Sequence, residues 1–487
     1  MGRPEDAPAG GLMGRPEDAG AGESKPAKPG GHRGTSTRNA PPAHARACAY
    51  EVIRRVFEQG AYADQALQSE ARPLDSRDRA LAMRLAYGTI QMRLTLDHVI
   101  QRLAKRPAER LDRPLLAALR LGLYELLYLN GAPDRAVVAD CVELAKSGHG
   151  AGHGLVNAVL RRAAREGAPK LLGDLREDTP DHAAIAYSHP AWIARMWWQE
   201  LGPVEARALM AADNEPGELA VRVNTLLADP SSLVRDMTVS TRTDPDLPEA
   251  LVLDGPFDLH GSSAWREGKL LAQSRAAMLV ARALDPQPGE RVLDLCAAPG
   301  GKSTHIAALM GDEGEVVAVE HNPVRAAGLR ETAQRLKASS VRVEVADAAL
   351  PRHEGDRFDR VLVDPPCSGL GTLQARPDLR WRLTPAKLDE LAQLQAAILA
   401  AGAAALRPGG VLVYSTCTIS SVENERQIES FLERRPGFAL EDVTHEQRSQ
   451  PHPHMPKAIL TMPNRDRTAG FFVARMRRVG DLPTGRL

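Results

Sequence analysis

The sequence predicts a multidomain protein, with an all-helical domain near the N-terminus followed by an α/β domain built on a parallel sheet. The chain has 487 residues, 43% of them hydrophobic, which is enough for several domains with their own cores. Between about residues 43 and 168, apolar residues recur every three to four positions, a spacing typical of packed helices. From residue 271 onward, short β-branched runs alternate with helical stretches, which is the pattern of parallel strands covered by helices on both faces.

The ends of the chain and its domain boundaries follow from composition. Residues 1–40 are rich in Gly, Pro and charge, and the segment Met1–Ala7 is repeated as Met13–Ala19. Such a segment cannot bury a core, so we expect disorder there. The remaining predicted units are a helical domain at 41–168, a connecting α+β region at 169–270, an α/β domain at 271–480 and a tail at 481–487.

Composition excludes several classes of protein. No apolar run of about eighteen residues and no secretory signal pattern occur, so we expect a soluble cytoplasmic protein without membrane contact. The five cysteines are scattered, without Cys-x-x-Cys pairs or His at ligand spacing, so we expect neither a disulfide framework nor a metal site. They are Cys48, Cys141, Cys296, Cys367 and Cys417.

Charge is balanced overall but not locally. The chain has 62 Lys and Arg against 62 Asp and Glu, whereas residues 41–165 have 19 against 13. An ordinary solvated surface and a nucleic-acid contact explain this excess equally well. In the connecting region, a predicted strand around residues 219–225 places Arg222 and Asn224 on one face, which we expect to be available to RNA.

The carboxyl ends of the predicted parallel strands carry a row of small and acidic residues. Strand 291–295 is followed by the turn Cys296-Ala297-Ala298-Pro299-Gly300-Gly301-Lys302, which allows close backbone approach to a ligand just before a helix N-terminus. Glu320 ends the next strand, where a carboxylate can accept both hydroxyls of a ribose, and Asp347 ends the one after. Each alone could be a helix cap, but three successive strand ends predict a nucleoside cofactor site.

Two cysteines in strand-end motifs predict covalent chemistry. The turn Asp364-Pro365-Pro366-Cys367 is held rigid by its prolines, and Cys417 follows the strand that ends near Tyr414. A thiolate can add to an electron-poor ring carbon once its pKa is lowered. The residues themselves leave open which of the two thiols attacks.

Together these motifs resemble the RNA cytosine-carbon-5 methyltransferases, and in particular the bacterial RsmB (Sun, Fmu) family; helical segments such as 121–128 and 154–162 resemble the RNA-binding NusB domain. The resemblance covers about residues 43–478 and departs from the family at 273–274, where Gln-Ser replaces an expected Gln-Asp. It implies a Rossmann-like fold, S-adenosylmethionine as cofactor, held by residues 296–302 with Glu320 on the ribose and Asp347 on the adenine, and small-subunit ribosomal RNA as substrate. It also implies Cys417 as the nucleophile, Cys367 as the group that assists proton removal and release, and Asp364 as the contact to the base and to the methionine end of the cofactor.

Two other functions remain open on the sequence. One alternative is transfer RNA as the substrate. The other is a non-enzymatic RNA-binding or assembly factor, which would keep the fold but not need Asp364, Cys367 and Cys417. We expect a monomer. The cluster formed by Arg376, Arg380, Trp381 and Arg382 offers charge and one stacking surface to RNA, or else begins a surface helix.

Overall fold

The computed structural model describes residues 44–149, 152–352, 355, 357–444 and 451–480. The predictions for residues 1–40 and 481–487 therefore lie outside the described residues. Within the described part, no helix is long and apolar enough to cross a membrane.

An all-helical bundle occupies the first part of the described chain, as predicted. Apolar side chains from all seven helices form one buried cluster, which includes Ile53, Leu85, Leu119 and Leu160. The helices are His44–Gln59 (α1), Ala63–Glu70 (α2), Ser76–Gln91 (α3), Arg93–Ala104 (α4), Arg113–Tyr128 (α5), Asp134–His149 (α6) and His153–Leu172 (α7), with a short 3₁₀ turn at Ala108–Arg110.

A small antiparallel sheet in the order β2-β3-β1-β4 follows two further helices. Its own apolar cluster includes Val221, Leu233 and Leu251. The elements are Pro180–Ala186 (α8), Ala191–Ala212 (α9), Ala220–Val223 (β1), Pro230–Asp236 (α10), Thr241–Thr243 (β2), Ala250–Leu253 (β3), Ser263–Arg266 (α11) and Leu270–Ala272 (β4).

The largest layer is an eight-stranded sheet in the order β10-β12-β9-β8-β5-β6-β7, with β11 paired to β12. Its elements are Arg275–Leu284 (α12), Arg291–Leu295 (β5), Gly301–Leu309 (α13), Glu315–Glu320 (β6), Pro323–Arg335 (α14), Val341–Val345 (β7), Phe358–Val363 (β8), Leu379–Arg382 (α15), Pro385–Ala405 (α16), Leu406–Thr416 (β9), Glu425–Arg434 (α17), Phe438–Glu441 (β10), Ile459–Thr461 (β11), Pro463–Asp466 (α18) and Phe471–Arg478 (β12).

Strands β5–β9 are parallel, as the alternating pattern predicts, but β10–β12 add an antiparallel edge. The sheet is therefore mixed rather than wholly parallel. Alternate side chains of one strand enter different cores: Val292 joins the cluster with α12 and α13, and Leu293 the cluster with α9 and α16. Both faces of the sheet are thus covered. The predicted domain boundaries stay predictions.

Candidate active site

The predicted site residues lie in one row along the carboxyl edge of the parallel strands. In the spatial order of the strands, the row contains Cys417 after β9, Asp364 and Cys367 after β8, the turn 296–302 after β5, Glu320 at the end of β6, and Asp347 after β7. This edge is where ligands bind in open α/β sheets. Residues far apart in the sequence are thereby brought to one side of the sheet.

The two thiols lie against each other. The Sγ atoms of Cys367 and Cys417 are 3.2 Å apart, and the carbonyl of Cys417 accepts a hydrogen bond of 3.0 Å from the Gly371 amide. The hydrogen bond from Cys367 lowers the pKa of Cys417, and the Lys302 and Arg376 cations lower it further against the effect of burial. The same contact, with burial, raises the pKa of Cys367 well above its usual value. The geometry favours a thiolate on Cys417 beside a protonated Cys367.

Asp364 is held beside the thiols by two partners. Its Oδ2 atom accepts a hydrogen bond of 2.7 Å from Lys302 Nζ, and its Oδ1 atom accepts one of 2.8 Å from Ser415 Oγ. Burial lowers the pKa of Lys302, but Asp364 more than offsets this and the net pKa is raised, so Lys302 is protonated. The side chain of Asp364 remains partly exposed, so its carboxylate can accept a further hydrogen bond from a substrate.

The turn 296–302 has a backbone shaped for a ligand. Cys296 has a φ of 66° and Gly300 a φ of 99°, and the turn leads directly into the N-terminus of α13. Behind it, Asp294 is fully buried and accepts a hydrogen bond of 2.6 Å from Ser303 Oγ. Its Oδ1 atom has no hydrogen-bond partner in the described part of the chain. Burial, with a smaller contribution from Asp364, raises the pKa of Asp294 to about 7.

Glu320 and Asp347 occupy different environments. Glu320 is buried, and its Oε1 atom accepts a hydrogen bond of 2.9 Å from the Asn322 amide. Arg325 lies 3.3 Å from Glu320 Oε2 and donates a hydrogen bond of 2.9 Å to the Ala298 carbonyl, so it ties the end of β6 to the turn. Asp347 is exposed, and its carboxylate accepts from the Ala349 amide. It lies at the end of the row.

Two predicted RNA contacts are wrong because other parts of the chain cover them. Arg222 and Asn224 are buried. Arg222 donates to Gln273 Oε1 at 2.8 Å and Thr304 Oγ1 at 2.9 Å, and so braces α13; Asn224 donates to main-chain carbonyls. The period-two pattern identified a common face but not what packs on it.

The cluster at 376–382 is mostly an internal contact. Arg380 is fully buried and donates to the carbonyls of Ser188 and Asp213, and Trp381 donates a hydrogen bond of 2.7 Å to the Ile90 carbonyl. Of the four residues in the cluster, only Arg376 is exposed. Its side chain forms no hydrogen bond or ion pair within the described ranges. The predicted basic surface therefore reduces to Arg376.

Sequence reasoning missed several residues around the thiols. Glu423 is fully buried and accepts hydrogen bonds from both cysteine-bearing loops, and Ser415 and Asp294 support Asp364 and the turn. Asp294 carried one signal, since an acidic residue inside an otherwise apolar strand is unusual. Glu423 carried none, because its partners Ser368 and Gln395 are distant in the sequence.

Comparison with known proteins covers most of the chain. The family description "16S rRNA methyltransferase RsmB/F" matches residues 281–477, "NusB family" matches 43–165, and "Methyltr_RsmF/B-like, ferredoxin-like domain" matches 189–260. "Probable ribosomal RNA small subunit methyltransferase B" of Bacillus subtilis (strain 168) is 35% identical over 445 residues, 89% of this chain and 99% of that protein. "Ribosomal RNA small subunit methyltransferase B" of Vibrio cholerae is 34% identical over 82% of this chain and 91% of that protein.

Two solved structures are similar to this chain over nearly their whole length. The crystal structure of PH0851 has a TM-score of 0.74 and 27% identity, and covers 90% of this chain and 99% of that one. The structure of NSun6 from Pyrococcus horikoshii with SFG has a TM-score of 0.55 and 25% identity, and covers 60% of this chain and 99% of that one. The family matches fall on the helical bundle, most of the small sheet and the large sheet, and the chain belongs to the 16S rRNA methyltransferase RsmB/F family.

Proposed function

We propose that this protein transfers a methyl group from S-adenosylmethionine to carbon 5 of a cytosine in small-subunit ribosomal RNA, through a covalent bond between Cys417 and carbon 6. The observation that carries the proposal is the 3.2 Å approach of the Cys367 and Cys417 sulfurs at the edge of the sheet that also holds the turn 296–302. The names of the sequence relatives support ribosomal RNA as the substrate.

The residues at the turn fit S-adenosylmethionine. A buried oxygen of Asp294 without a partner among the described residues and the N-terminus of α13 offer an acceptor and donors for polar groups. We assign the turn Cys296, Ala297, Ala298, Pro299, Gly300, Gly301 and Lys302 to the cofactor, with Glu320 on the ribose, Asp347 on the adenine and Asp364 near the methionine end. When bound, S-adenosylmethionine supplies an electrophilic methyl group on a sulfonium, which leaves as a neutral thioether.

The first step is addition to the ring. Carbon 5 of cytosine is too weak a nucleophile to take a methyl group, but addition of the Cys417 thiolate to carbon 6 makes carbon 5 an enamine carbon. As the ring electrons shift towards nitrogen 3, this nitrogen takes a proton from solvent and returns it at release. Asp364 accepts hydrogen bonds from the exocyclic amino group and from the protonated nitrogen 3, which stabilises the ring during addition. Carbon 5 then forms its new bond to the methyl carbon as the sulfonium–methyl bond breaks.

The second step is release. Once the Cys417 sulfur is bonded to carbon 6, it no longer carries the charge or accepts the hydrogen bond that raises the pKa of Cys367. Cys367 then loses its proton to solvent more easily, and the resulting thiolate takes the proton from carbon 5. The electron pair of that C–H bond restores the carbon 5–carbon 6 double bond and expels Cys417 as a thiolate. The reaction of Cys417 therefore prepares Cys367 to act as the base.

The target base has to leave its stack to reach the two thiols, which favours unpaired RNA. Arg376 is exposed and close enough to Cys417 to lower the pKa of that thiol. We assign it to an RNA phosphate beside the flipped base, where a cation fits the backbone charge.

The first test compares wild type with Cys417→Ala and Cys367→Ala, using labelled S-adenosylmethionine and unmodified small-subunit ribosomal RNA. Covalent protein–RNA adducts are resolved on a denaturing gel. We expect no adduct with Cys417→Ala, because the attacking sulfur is gone. With Cys367→Ala we expect adduct to accumulate, because release fails, and turnover falls by about a hundredfold or more, the usual range for loss of an acid–base group.

The reverse pattern would make Cys367 the nucleophile. Transfer RNA, assayed in parallel, tests the alternative substrate, and methylation of transfer RNA alone would contradict the ribosomal assignment. No transfer by wild type to either RNA would favour a non-enzymatic RNA-binding factor.

A further inference from the structure

A buried carboxylate connects the two cysteine-bearing loops. Glu423 is fully buried in the turn that follows β9. Its Oε1 atom accepts from the Ser368 amide at 2.8 Å and from Gln395 Nε2 at 3.0 Å. Its Oε2 atom accepts from Ser368 Oγ at 2.5 Å and from Thr418 Oγ1 at 3.2 Å. The carboxylate thus has four polar contacts; because each hydroxyl carries one proton, that of Thr418 is shared between Glu423 and the Ser368 hydroxyl, 2.6 Å away.

The partners of Glu423 are the immediate neighbours of the thiols. Ser368 directly follows Cys367, and Thr418 directly follows Cys417. The hydroxyls of Ser368 and Thr418 are also 2.6 Å apart, so the two loops meet at the carboxylate. We therefore expect a loss of these contacts to change the distance between the two sulfurs.

Two buried side chains, Gln395 and Tyr414, hold Glu423 and its neighbours in place. Gln395, on α16, also donates a hydrogen bond of 2.9 Å to the Pro366 carbonyl, and so fixes the turn before Cys367. Tyr414, on β9, donates a hydrogen bond of 2.7 Å to the Glu423 carbonyl. Both side chains are buried, so the carboxylate is anchored to the sheet and to a covering helix.

We propose that Glu423 is a positioning residue that sets the separation of the Cys367 and Cys417 sulfurs, and thereby keeps the Cys367 thiol bonded to the Cys417 thiolate. The inference rests on the proposed function for the identity of the nucleophile. Glu423 makes no hydrogen bond to either sulfur, although its charge helps to raise the pKa of Cys367. It acts through Ser368 and Thr418.

The thiol geometry has a measurable consequence for reactivity. The charged and titratable groups around Cys417 are Cys367, Asp364, Lys302 and Arg376. Of these, the hydrogen bond from Cys367 has the largest effect in favouring the thiolate. If the sulfurs separate, that hydrogen bond is lost, and Cys417 needs a higher pH to ionise.

The test measures alkylation of Cys417 by iodoacetamide as a function of pH, with the modified peptide quantified by mass spectrometry and no RNA present. We expect Glu423→Ala to move the alkylation profile up by about one pH unit, which is about a tenfold slower reaction at neutral pH. Glu423→Gln should stay close to wild type, since its oxygen still accepts from Ser368 and Gln395 while its NH2 can donate to the two hydroxyls. Glu433→Ala, an exposed glutamate on α17, is the matched control and should leave the profile unchanged.

A role limited to stability would lower the unfolding midpoint of Glu423→Ala without moving the pH profile, and that result would overturn the proposal. Equal shifts in Glu423→Gln and Glu423→Ala would also overturn it, because charge rather than position would then be responsible. If Glu423→Ala does not fold, Ser368→Ala replaces it, with the same direction of shift expected and an unshifted profile counting against the proposal. Because alkylation needs no RNA, a failed methyl transfer with the expected alkylation profiles would contradict the proposed function alone.

Discussion

Asp294 is a buried residue whose carboxyl group lowers the stability of the folded protein when it ionises but can bind a ligand. The carboxyl group has one hydrogen bond, from Ser303, and an oxygen without a partner among the described residues. Burial raises the pKa of Asp294 to about 7 from 3.8, so the folded protein holds a proton that the unfolded chain would release. Ionising this group without a ligand costs folding free energy, whereas a cationic or hydrogen-bond-donating ligand would recover it.

A pH-dependent stability difference should follow. Between pH values of about 4 and 7, the folded state binds a proton at Asp294 that the unfolded state does not, so the free energy of unfolding falls as pH rises. Asp294→Asn removes this term. As pH rises across that window, we expect the free energy of unfolding of the variant to increase relative to that of wild type by about 2 to 4 kcal/mol. We also expect the variant to bind S-adenosylmethionine more weakly. Urea unfolding at several pH values and titration calorimetry measure the two effects.

Asp312→Asn is the matched control for this prediction. Burial raises the pKa of Asp312, but hydrogen bonds from Ser339 and Ser340 more than offset it and the net pKa is lowered. Its stabilising contribution is therefore present above the unfolded pKa and is lost only in acid. Between about pH 4 and 7 its difference from wild type should be constant. If the difference in free energy of unfolding between Asp294→Asn and wild type were also independent of pH, it would contradict the raised pKa of Asp294.

At the scale of elements, the large sheet shows which features local sequence determines. Strands β5–β9 were predictable because each contains Val or Leu at several positions and is bounded by turn residues, and the positions of the candidate site residues after these strands followed directly. The antiparallel edge was harder to predict, because the order β10-β12-β9 depends on pairing between distant segments. The roles of the site residues stay predictions.

The sequence could not predict which side chains of a helix or strand are buried by other parts of the chain. Arg222 on β1 and Arg380 on α15 look like surface cations in the sequence, yet both are buried and hydrogen-bonded. A strand or helix pattern shows which residues share a face, but the element that covers this face comes from elsewhere in the chain. Glu423 was missed for the same reason, since its partner Ser368 is 55 positions away.

The turn before α13 provides a prediction at this scale. Gly300 has a φ of 99°, and a Cβ there would lie 3.2 Å from Leu329 Cγ, so an alanine would be strained by its backbone and crowded by α14. We expect Gly300→Ala to lower the free energy of unfolding by about 1 to 3 kcal/mol and to weaken binding of S-adenosylmethionine. Urea unfolding and titration calorimetry measure these losses.

Gly328, within α14, is the control. A Cβ at this position meets nothing within 4 Å, and its φ is not positive. Gly328→Ala should therefore stabilise the protein by about 0.5 to 1 kcal/mol, the usual gain in a helix. If Gly300→Ala were as stable as wild type, the turn would not require the glycine backbone.

At the scale of the whole molecule, the helical bundle contacts the segment that follows the Cys367 loop. Trp381 donates a hydrogen bond of 2.7 Å to the Ile90 carbonyl and stacks with Arg93, whose guanidinium is 5.1 Å from the ring centroid. Arg382 donates to the carbonyls of Gly60 at 2.9 Å and of Ala61. Trp381 lies 14 residues after Cys367, so the bundle contacts the segment that follows the candidate catalytic turn and has a direct structural link to it.

Removing the Trp381 side chain should weaken this link specifically. Trp381→Ala loses the hydrogen bond to Ile90 and the Arg93 stack, at a cost of about 2 to 3 kcal/mol. We expect faster hydrogen exchange, measured by mass spectrometry, in α3 and in residues 376–382. Trp198→Ala is the control, since Trp198 is also half-buried with an arginine over its ring but packs against the sheet domain; it should leave exchange in α3 unchanged. Equal effects of both variants on α3 would mean that general destabilisation, and not the contact at Trp381, controls the docking of the bundle.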